Sequence, residues 1–209
     1  MKIIAVGMNY RKHLLELNNP VPDEPVIFIK PDSAISMAPA SKGRANQPFF
    51  LPDFSSDIHY ETEVVVRIHK LGKNIEEKYA HRYYNEVTVG LDLTARDLQQ
   101  KLRQKGLPWE ICKGFDGSAV LGSFVPLEEN TIQNLDFYLD INGVRVQQGH
   151  TSDMIFAVDA VVAYVSRFFT LKTGDLIYTG TPSGVGTLHP EDHLEAGLSG
   201  VKLLDLRIK

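Results

Sequence analysis

Short β-branched runs, separated by breaks rich in glycine, proline and asparagine, dominate this chain, and helical spacing is confined to a few stretches. Lys2 to Val6 reads as an opening strand that ends at Gly7. Asn9 stands where a helix cap belongs, before a short helix over Tyr10 to Leu17. The turn formers from Asn18 to Pro25 predict a loop free to move as a lid, and Val26 to Lys30 a buried strand halted by Pro31. Ala34 to Leu51 has no clear period and is expected to be irregular surface structure. The strongest strand signal is His59 to Ile68. Tyr60, Thr62, Val64 and Val66 share one register, yet Val65 in the other register is apolar too, so the strand is expected to be buried on both sides after Glu63.

Gly72 closes the next turn, and Ile75 to Tyr84 carries helical spacing with charges on its outer side. A strand over Val87 to Thr94 should lead into a helix from Ala95 to Lys105, capped by Thr94 or Asp92 and ended by Gly106. Asn142-Gly143 between two strand-like runs, Leu135 to Ile141 and Val144 to Gln147, is a hairpin signal. Met154 to Phe169 reads as a helix packed through Ile155, Val158, Val161, Val162 and Val165. Asp175 to Thr179 is a strand running into Gly180-Thr181-Pro182-Ser183-Gly184-Val185-Gly186, and Val201 to Ile208 is a last strand. With no linker or repeat, residues 1–209 are expected to form one domain.

Composition narrows the function classes. The 209 residues are 43% hydrophobic and 23% charged, ordinary for a globular protein with a sizeable core. Lysine and arginine number 22 against 26 aspartate and glutamate, a net charge of −4 with no long run of either sign, which argues against nucleic acid or an anionic membrane as partner. No apolar stretch approaches the ~20 residues of a bilayer span. The N-terminus shows no signal-peptide cleavage pattern, and one cysteine, Cys112, excludes an internal disulfide, so a cytoplasmic location is expected. Cys112 itself reads as a small core residue before it reads as a nucleophile.

Chemistry concentrates at a few positions. Glu61 and Glu63 lie on one face of their strand, roughly 7 Å apart along it. Either they form the wet face of a half-buried sheet, or a hard divalent cation neutralises them. Asp92, flanked by leucines, is costly to bury unpaired. It is a helix cap or, if Thr94 caps alone, a third metal ligand. His13 and Glu16 share a helix face, where a carboxylate can fix the tautomer of a general base, although such pairs also occur idly on surfaces. Lys113 stands in a glycine-rich turn, either solvated or, beside a metal, lowered in pKa toward proton transfer. The glycines of 180–186 let backbone N–H groups approach an anion, but a P-loop lysine is missing, so a nucleotide is not expected.

Together these pieces resemble the fumarylacetoacetate hydrolase family in its compact single-domain branch. The resemblance rests on Gly7-Met8-Asn9-Tyr10-Arg11-Lys12-His13 with Glu16, Phe28-Ile29-Lys30-Pro31, His59-Tyr60-Glu61-Thr62-Glu63, Leu91-Asp92-Leu93-Thr94-Ala95-Arg96-Asp97-Leu98-Gln99, Lys113-Gly114-Phe115-Asp116, Ser152-Asp153-Met154-Ile155-Phe156 and the segment Thr179 to Gly186. It implies a β-rich α+β fold with a rolled mixed β-sheet core and peripheral helices, and a homodimer. It further implies Mg²⁺ or Mn²⁺ held by Glu61, Glu63 and Asp92. Lys113 matches the family's active-site lysine, and His13 with Glu16 a dyad that orders over bound ligand. Lys30, Arg96, Gln99 and Thr181 match positions lining the pocket.

The implied activity is metal-dependent chemistry on small 2-oxo and 2,4-dioxo acids through a stabilised enolate. Acylpyruvate hydrolysis with C–C cleavage and oxaloacetate decarboxylation or tautomerisation come first. The alternative is a 2-hydroxyhepta-2,4-diene-1,7-dioate isomerase or decarboxylase, and behind it a non-catalytic metal- or carboxylate-binding protein. Only an enzyme needs Lys113 and the His13–Glu16 pair.

Overall fold

The structure, a computed structural model, describes residues 1–16, 18–40, 47–128 and 131–209. Its strands in chain order are β1 (Ile3–Gly7), β2 (Val26–Lys30), β3 (Ile35–Met37), β4 (Ile58–Tyr60), β5 (Thr62–Ile68), β6 (Tyr84–Asp92), β7 (Thr94–Ala95), β8 (Ala119–Leu121), β9 (Val125–Pro126), β10 (Asp136–Ile141), β11 (Val144–His150), β12 (Leu176–Tyr178), β13 (Gly186–Thr187), β14 (His193–Leu198) and β15 (Val201–Arg207). The α-helices are α1 (Arg11–Glu16), α2 (Arg96–Gln104), α3 (Glu110–Lys113) and α4 (Val158–Ser166).

A mixed eight-stranded sheet runs in the order β2-β1-β12-β5-β6-β8-β3, with β9 beside β6. It curls into a half-barrel, the rolled β-rich core that the sequence implied. A meander of β11-β10-β14-β15 and a small sheet of β13-β4-β7 complete the architecture. Alternation along the main strands explains why both faces are buried. Ile4, Val6, Val64, Val66, Val89, Leu91 and Ile177 point into the larger core, whereas Ile3, Ala5, Val65, Leu176 and Tyr178 fill a second cluster on the opposite face. Strand β5 is therefore buried on both sides beyond Glu63, as its pattern predicted.

Several local expectations are corrected. The strand expected over His59 to Ile68 is interrupted at Glu61, where β4 ends and β5 begins. Asn9 does not cap α1. It is wholly buried, donates from Nδ2 to the carbonyls of Phe156 (3.0 Å) and Thr179 (2.8 Å), and accepts from the Phe156 N–H (2.8 Å). Position 17, the expected helix end, lies outside the described residues. Helix α2 starts at Arg96 without a side-chain cap, because the Thr94 hydroxyl turns back to the Asp92 carbonyl at 3.2 Å. Ile75 to Tyr84 holds a 3₁₀ helix over Glu77–Arg82 instead of an α-helix. The helix expected from Met154 reduces to α4, preceded by a 3₁₀ turn at Thr151–Asp153 that leaves Ile155 outside it. The stretch expected to be irregular contains β3, paired in parallel with β8; its positions 41–46 lie outside the described residues.

Candidate metal and active site

Strand register assembles the acidic residues. Glu63 pairs with Gly90 across β5 and β6, and the Asp92 N–H donates to the Glu61 carbonyl at 2.8 Å, so Glu61 and Asp92 face each other at the strand ends. Glu61, Glu63 and Asp92 are all buried, and each offers an oxygen within 4.8 Å of the others. The solvated-face reading of Glu61 and Glu63 is thereby excluded, and so is the capping role for Asp92.

Three cations close on this triad. Lys113, from the end of α3, donates to Glu61 Oε2 at 2.7 Å and Asp92 Oδ2 at 2.6 Å. Arg96 gives Nη2 to Glu61 Oε1 and Nη1 to Gln99 Oε1, both at 2.5 Å, and its Nε faces His59 Nδ1 at 3.4 Å. Lys30 is 0% exposed, with Nζ 2.7 Å from Asp92 Oδ1 and donating to the carbonyls of Lys113 and Ser118 and to Ser118 Oγ. Lys113 thus bridges Glu61 and Asp92, Arg96 reaches Glu61 with Gln99 bracing it, and Lys30 stands behind Asp92, holding the lysine-bearing segment to the sheet.

These contacts set the protonation of the site. Burial works to raise the Glu61 pKa, but Lys113, Arg96 and His13 outweigh it and hold the carboxyl well below the usual range. Burial, reinforced by Asp92, pushes Glu63 well above that range even though the Gly180 N–H donates to its Oε2 at 2.7 Å. For Lys113 burial acts downward and Asp92 and Glu61 act upward, and the carboxylates prevail. In this arrangement the ammonium itself neutralises the acids, whereas the lowering expected from the sequence was that of a lysine beside a bound cation. Lys30 goes the other way, because complete burial outweighs its one close carboxylate.

His13 and Glu16 sit on α1, with Nδ1 3.1 Å from Oε2. His13 is buried and near enough to Glu61 to influence its ionisation, whereas Glu16 lies at the rim, receiving the Gly184 N–H at 3.1 and 3.3 Å on its two oxygens. The N–H groups of the glycine-rich loop do find anions, and these are the protein's own carboxylates, Glu63 and Glu16. Thr181 is buried, its Oγ1 receiving Gln147 Nε2 at 2.9 Å. Cys112 is a core residue, as expected, and burial pushes its thiol up to about 11. The sequence reading passed over two supporting groups, Gln147 and the ring of His59. Neither carries a spacing signal; only the strand pairings that deliver them to the site reveal them.

The three carboxylates offer the hard oxygen donors that Mg²⁺ or Mn²⁺ prefers. Asp92 Oδ1 is buried with the Lys30 ammonium 2.7 Å away, and among the described residues Glu63 has no cation partner of its own. The donor set fits a divalent cation.

A curled mixed sheet holding a buried acidic triad, backed by a lysine, an arginine and a histidine–glutamate pair, defines a candidate metal-dependent active site. Comparison with known proteins makes the class specific: the fumarylacetoacetate (FAA) hydrolase C-terminal family matches residues 2–209, and the chain belongs to that family. It is 41% identical over 204 residues to the oxaloacetate tautomerase YcgM of Escherichia coli, covering 97% of this chain and 90% of that one. It is 39% identical over 201 residues to a mitochondrial oxaloacetate decarboxylase of Dictyostelium discoideum, covering 96% and 89%. The fumarylpyruvate hydrolase of Pseudomonas aeruginosa, solved in complex with Mn²⁺ and pyruvate, superimposes with a TM-score of 0.92 at 34% identity, covering all of this chain and 89% of that one. The chain is an enzyme of this family. Among the described residues no helix is long and apolar enough to cross a membrane.

Proposed function

We propose that the protein acts on small 2-oxo and 2,4-dioxo acids, decarboxylating or tautomerising oxaloacetate and hydrolysing acylpyruvates at the C3–C4 bond. The observation that carries this reading is the convergence of Glu61, Glu63 and Asp92 with Lys113 and Arg96 in one buried cluster. Mg²⁺ or Mn²⁺, held by Glu61, Glu63 and Asp92, would polarise the 2-oxo group and favour negative charge on C3.

Charge bookkeeping supports the substrate class. Glu61 and Asp92 pair with the three cations Lys30, Lys113 and Arg96 and Glu63 adds a third carboxyl, so with every group ionised the cluster is near neutral and would carry about two positive charges once a divalent cation is added. Such a site suits a dianion such as oxaloacetate, or an acylpyruvate losing a proton as it binds. Arg96, fixed by Gln99 and His59, offers a fork for the substrate carboxylate. Lys113, released from the acids by the added charge, is placed to give a proton to or take one from C3. His13, oriented through Nδ1 by Glu16, activates the water that hydrolysis requires; decarboxylation and tautomerisation need no such water. Lys30 acts through Asp92 and Lys113, and Thr181 borders the pocket from the glycine-rich loop. A homodimer in a reducing compartment such as the cytoplasm belongs to the same reading.

The test is turnover of oxaloacetate and acetylpyruvate, side by side, on protein stripped with chelator and restored with Mg²⁺ or Mn²⁺. Metal-restored consumption of either supports the reading, and the ratio of rates divides decarboxylase or tautomerase from hydrolase. Metal binding without turnover of either would instead favour the longer dioxo-acid isomerase substrates.

A further inference from the structure

The segment from Thr179 to Thr187 is strapped along 59–64, the stretch that carries Glu61 and Glu63. The Thr179 N–H and hydroxyl both donate to the Val64 carbonyl, at 3.1 and 2.8 Å. Gly180 N–H holds Glu63 Oε2, Gly184 N–H holds Glu16, and Gly186 pairs with Tyr60 across β13 and β4. One short loop therefore touches a candidate metal ligand at its start and helix α1, through Glu16, four residues later. Its shape depends on Gly180 and Gly184, whose φ values of 102° and 97° lie in the left-handed region.

A single side chain from another sheet pins this loop. Gln147, on β11, is 1% exposed and uses both ends of its amide. Nε2 donates to Thr181 Oγ1 at 2.9 Å and the Pro182 carbonyl at 3.0 Å, and Oε1 accepts the Thr62 N–H at 2.9 Å. Thr62 lies between Glu61 and Glu63. A glutamine buried in a β-hairpin, with three bonds all directed to the site and none to its own sheet partners, is more than filler.

We propose that Gln147 is a positioning residue that locks the 180–184 loop to the backbone between the two glutamates, so that one amide sets both the Glu63 carboxylate and the position of the His13–Glu16 helix. The proposal rests on Glu61, Glu63 and Asp92 being the metal ligands for its effect on affinity, and on geometry alone for its effect on helix α1. The amide's two ends make distinct predictions. Glutamate at 147 keeps the acceptor for the Thr62 N–H but loses the donor, and sets an oxygen against the Pro182 carbonyl. Leucine loses all three bonds.

The experiment uses Gln147→Glu and Gln147→Leu in the full chain, with three readouts. Mn²⁺ affinity is measured by calorimetry, substrate KM and kcat at saturating Mn²⁺, and limited trypsin cleavage after Arg11 and Lys12 of α1 in the metal-free protein. The expected result for Gln147→Glu is a Kd for Mn²⁺ weakened about 10-fold, the lower end for loss of a supporting contact. KM should rise by more than kcat falls, and cleavage at α1 should be several-fold faster at a temperature where the variant is still fully folded. Gln147→Leu should show the same pattern, larger. Wild-type amide exchange needs no variant, and should show 180–184 protected like strand β5.

Wild-type Mn²⁺ affinity together with wild-type cleavage in Gln147→Glu would overturn the proposal, as would rapid exchange at 180–184. Failure of the wild type to bind Mn²⁺ would sink the functional reading instead. The cleavage and exchange results would then still decide whether Gln147 fixes the loop and helix α1.

Discussion

Replacing Lys30 by methionine removes a cation with no path to solvent and leaves most of its partners stranded. Asp92 Oδ1, the carbonyls of Lys113 and Ser118, and Ser118 Oγ all face its ammonium. Breaking a buried ion pair from one side typically costs about 3–5 kcal/mol. Asp92 retains Lys113 on its other oxygen and Ser118 Oγ still donates to the Lys113 carbonyl, so the lower end, about 3 kcal/mol, is expected. For a domain of this size that lowers the midpoint by about 6–12 °C. The substitution also leaves three carboxylates facing two cations, so added Mn²⁺ should stabilise Lys30→Met more than it stabilises the wild type. Thermal unfolding followed by circular dichroism, with and without Mn²⁺, measures both effects. A midpoint within about 2 °C of wild type, with only KM raised, would refute the reasoning and return Lys30 to the substrate-lining position that the family resemblance implied.

His13→Ala should slow acylpyruvate hydrolysis by about 10²–10⁴-fold while sparing oxaloacetate decarboxylation or tautomerisation; equal losses in steady-state assays of the two substrates would contradict that division. Asn9→Leu removes three buried hydrogen bonds between the segments that flank the site, and should lower stability to urea by about 3 kcal/mol. With its thiol pushed up to about 11, Cys112 is ionised only to about one part in a thousand at pH 8. Because the thiol is also wholly buried, iodoacetamide should label it only in denaturant at that pH, and labelling of the native protein would contradict its place in the core. The same shift means that folding keeps Cys112 protonated. Its contribution to stability is full below the unfolded thiol's pKa near 9 and is lost as pH climbs through about 11, so unfolding midpoints should fall over that interval.

The site's chemistry was legible because strand periodicity places Glu61 and Glu63 on one side and leucines isolate Asp92. What periodicity could not convey was the break at Glu61, which depends on β4 pairing with β7 and β13 while β5 pairs with β6 and β12. Asn9 looked like a cap because a local rule was applied to a residue whose partners lie 147 and 170 positions away. Thr94 failed as a cap for a related reason, since the chain there is held as strand β7 and turns its hydroxyl backward. Ile75 to Tyr84 carries helical spacing, but only six of its residues wind, and as 3₁₀. Gln147 had no sequence signal because its meaning lies in which loop crosses above it. Lys30 was read as pocket-lining from its motif, and the packing around Ser118 and Asp92 places it one layer deeper.

The divalent-cation site proposed above is formed by Glu61, Glu63 and Asp92. Among the described residues a second group, His193, Glu195 and Asp205, also brings potential ligand atoms together, but it is half exposed and already engaged by Lys202. Crystals equilibrated with Mn²⁺ and measured at the manganese edge decide between them. The expected result is an anomalous peak bounded by the three buried carboxylates, at about 2.0–2.3 Å from their oxygens, with the Lys113 ammonium drawn away from Glu61 and Asp92. A peak at His193 and Asp205 alone, or none at the buried triad under saturating Mn²⁺, would contradict it.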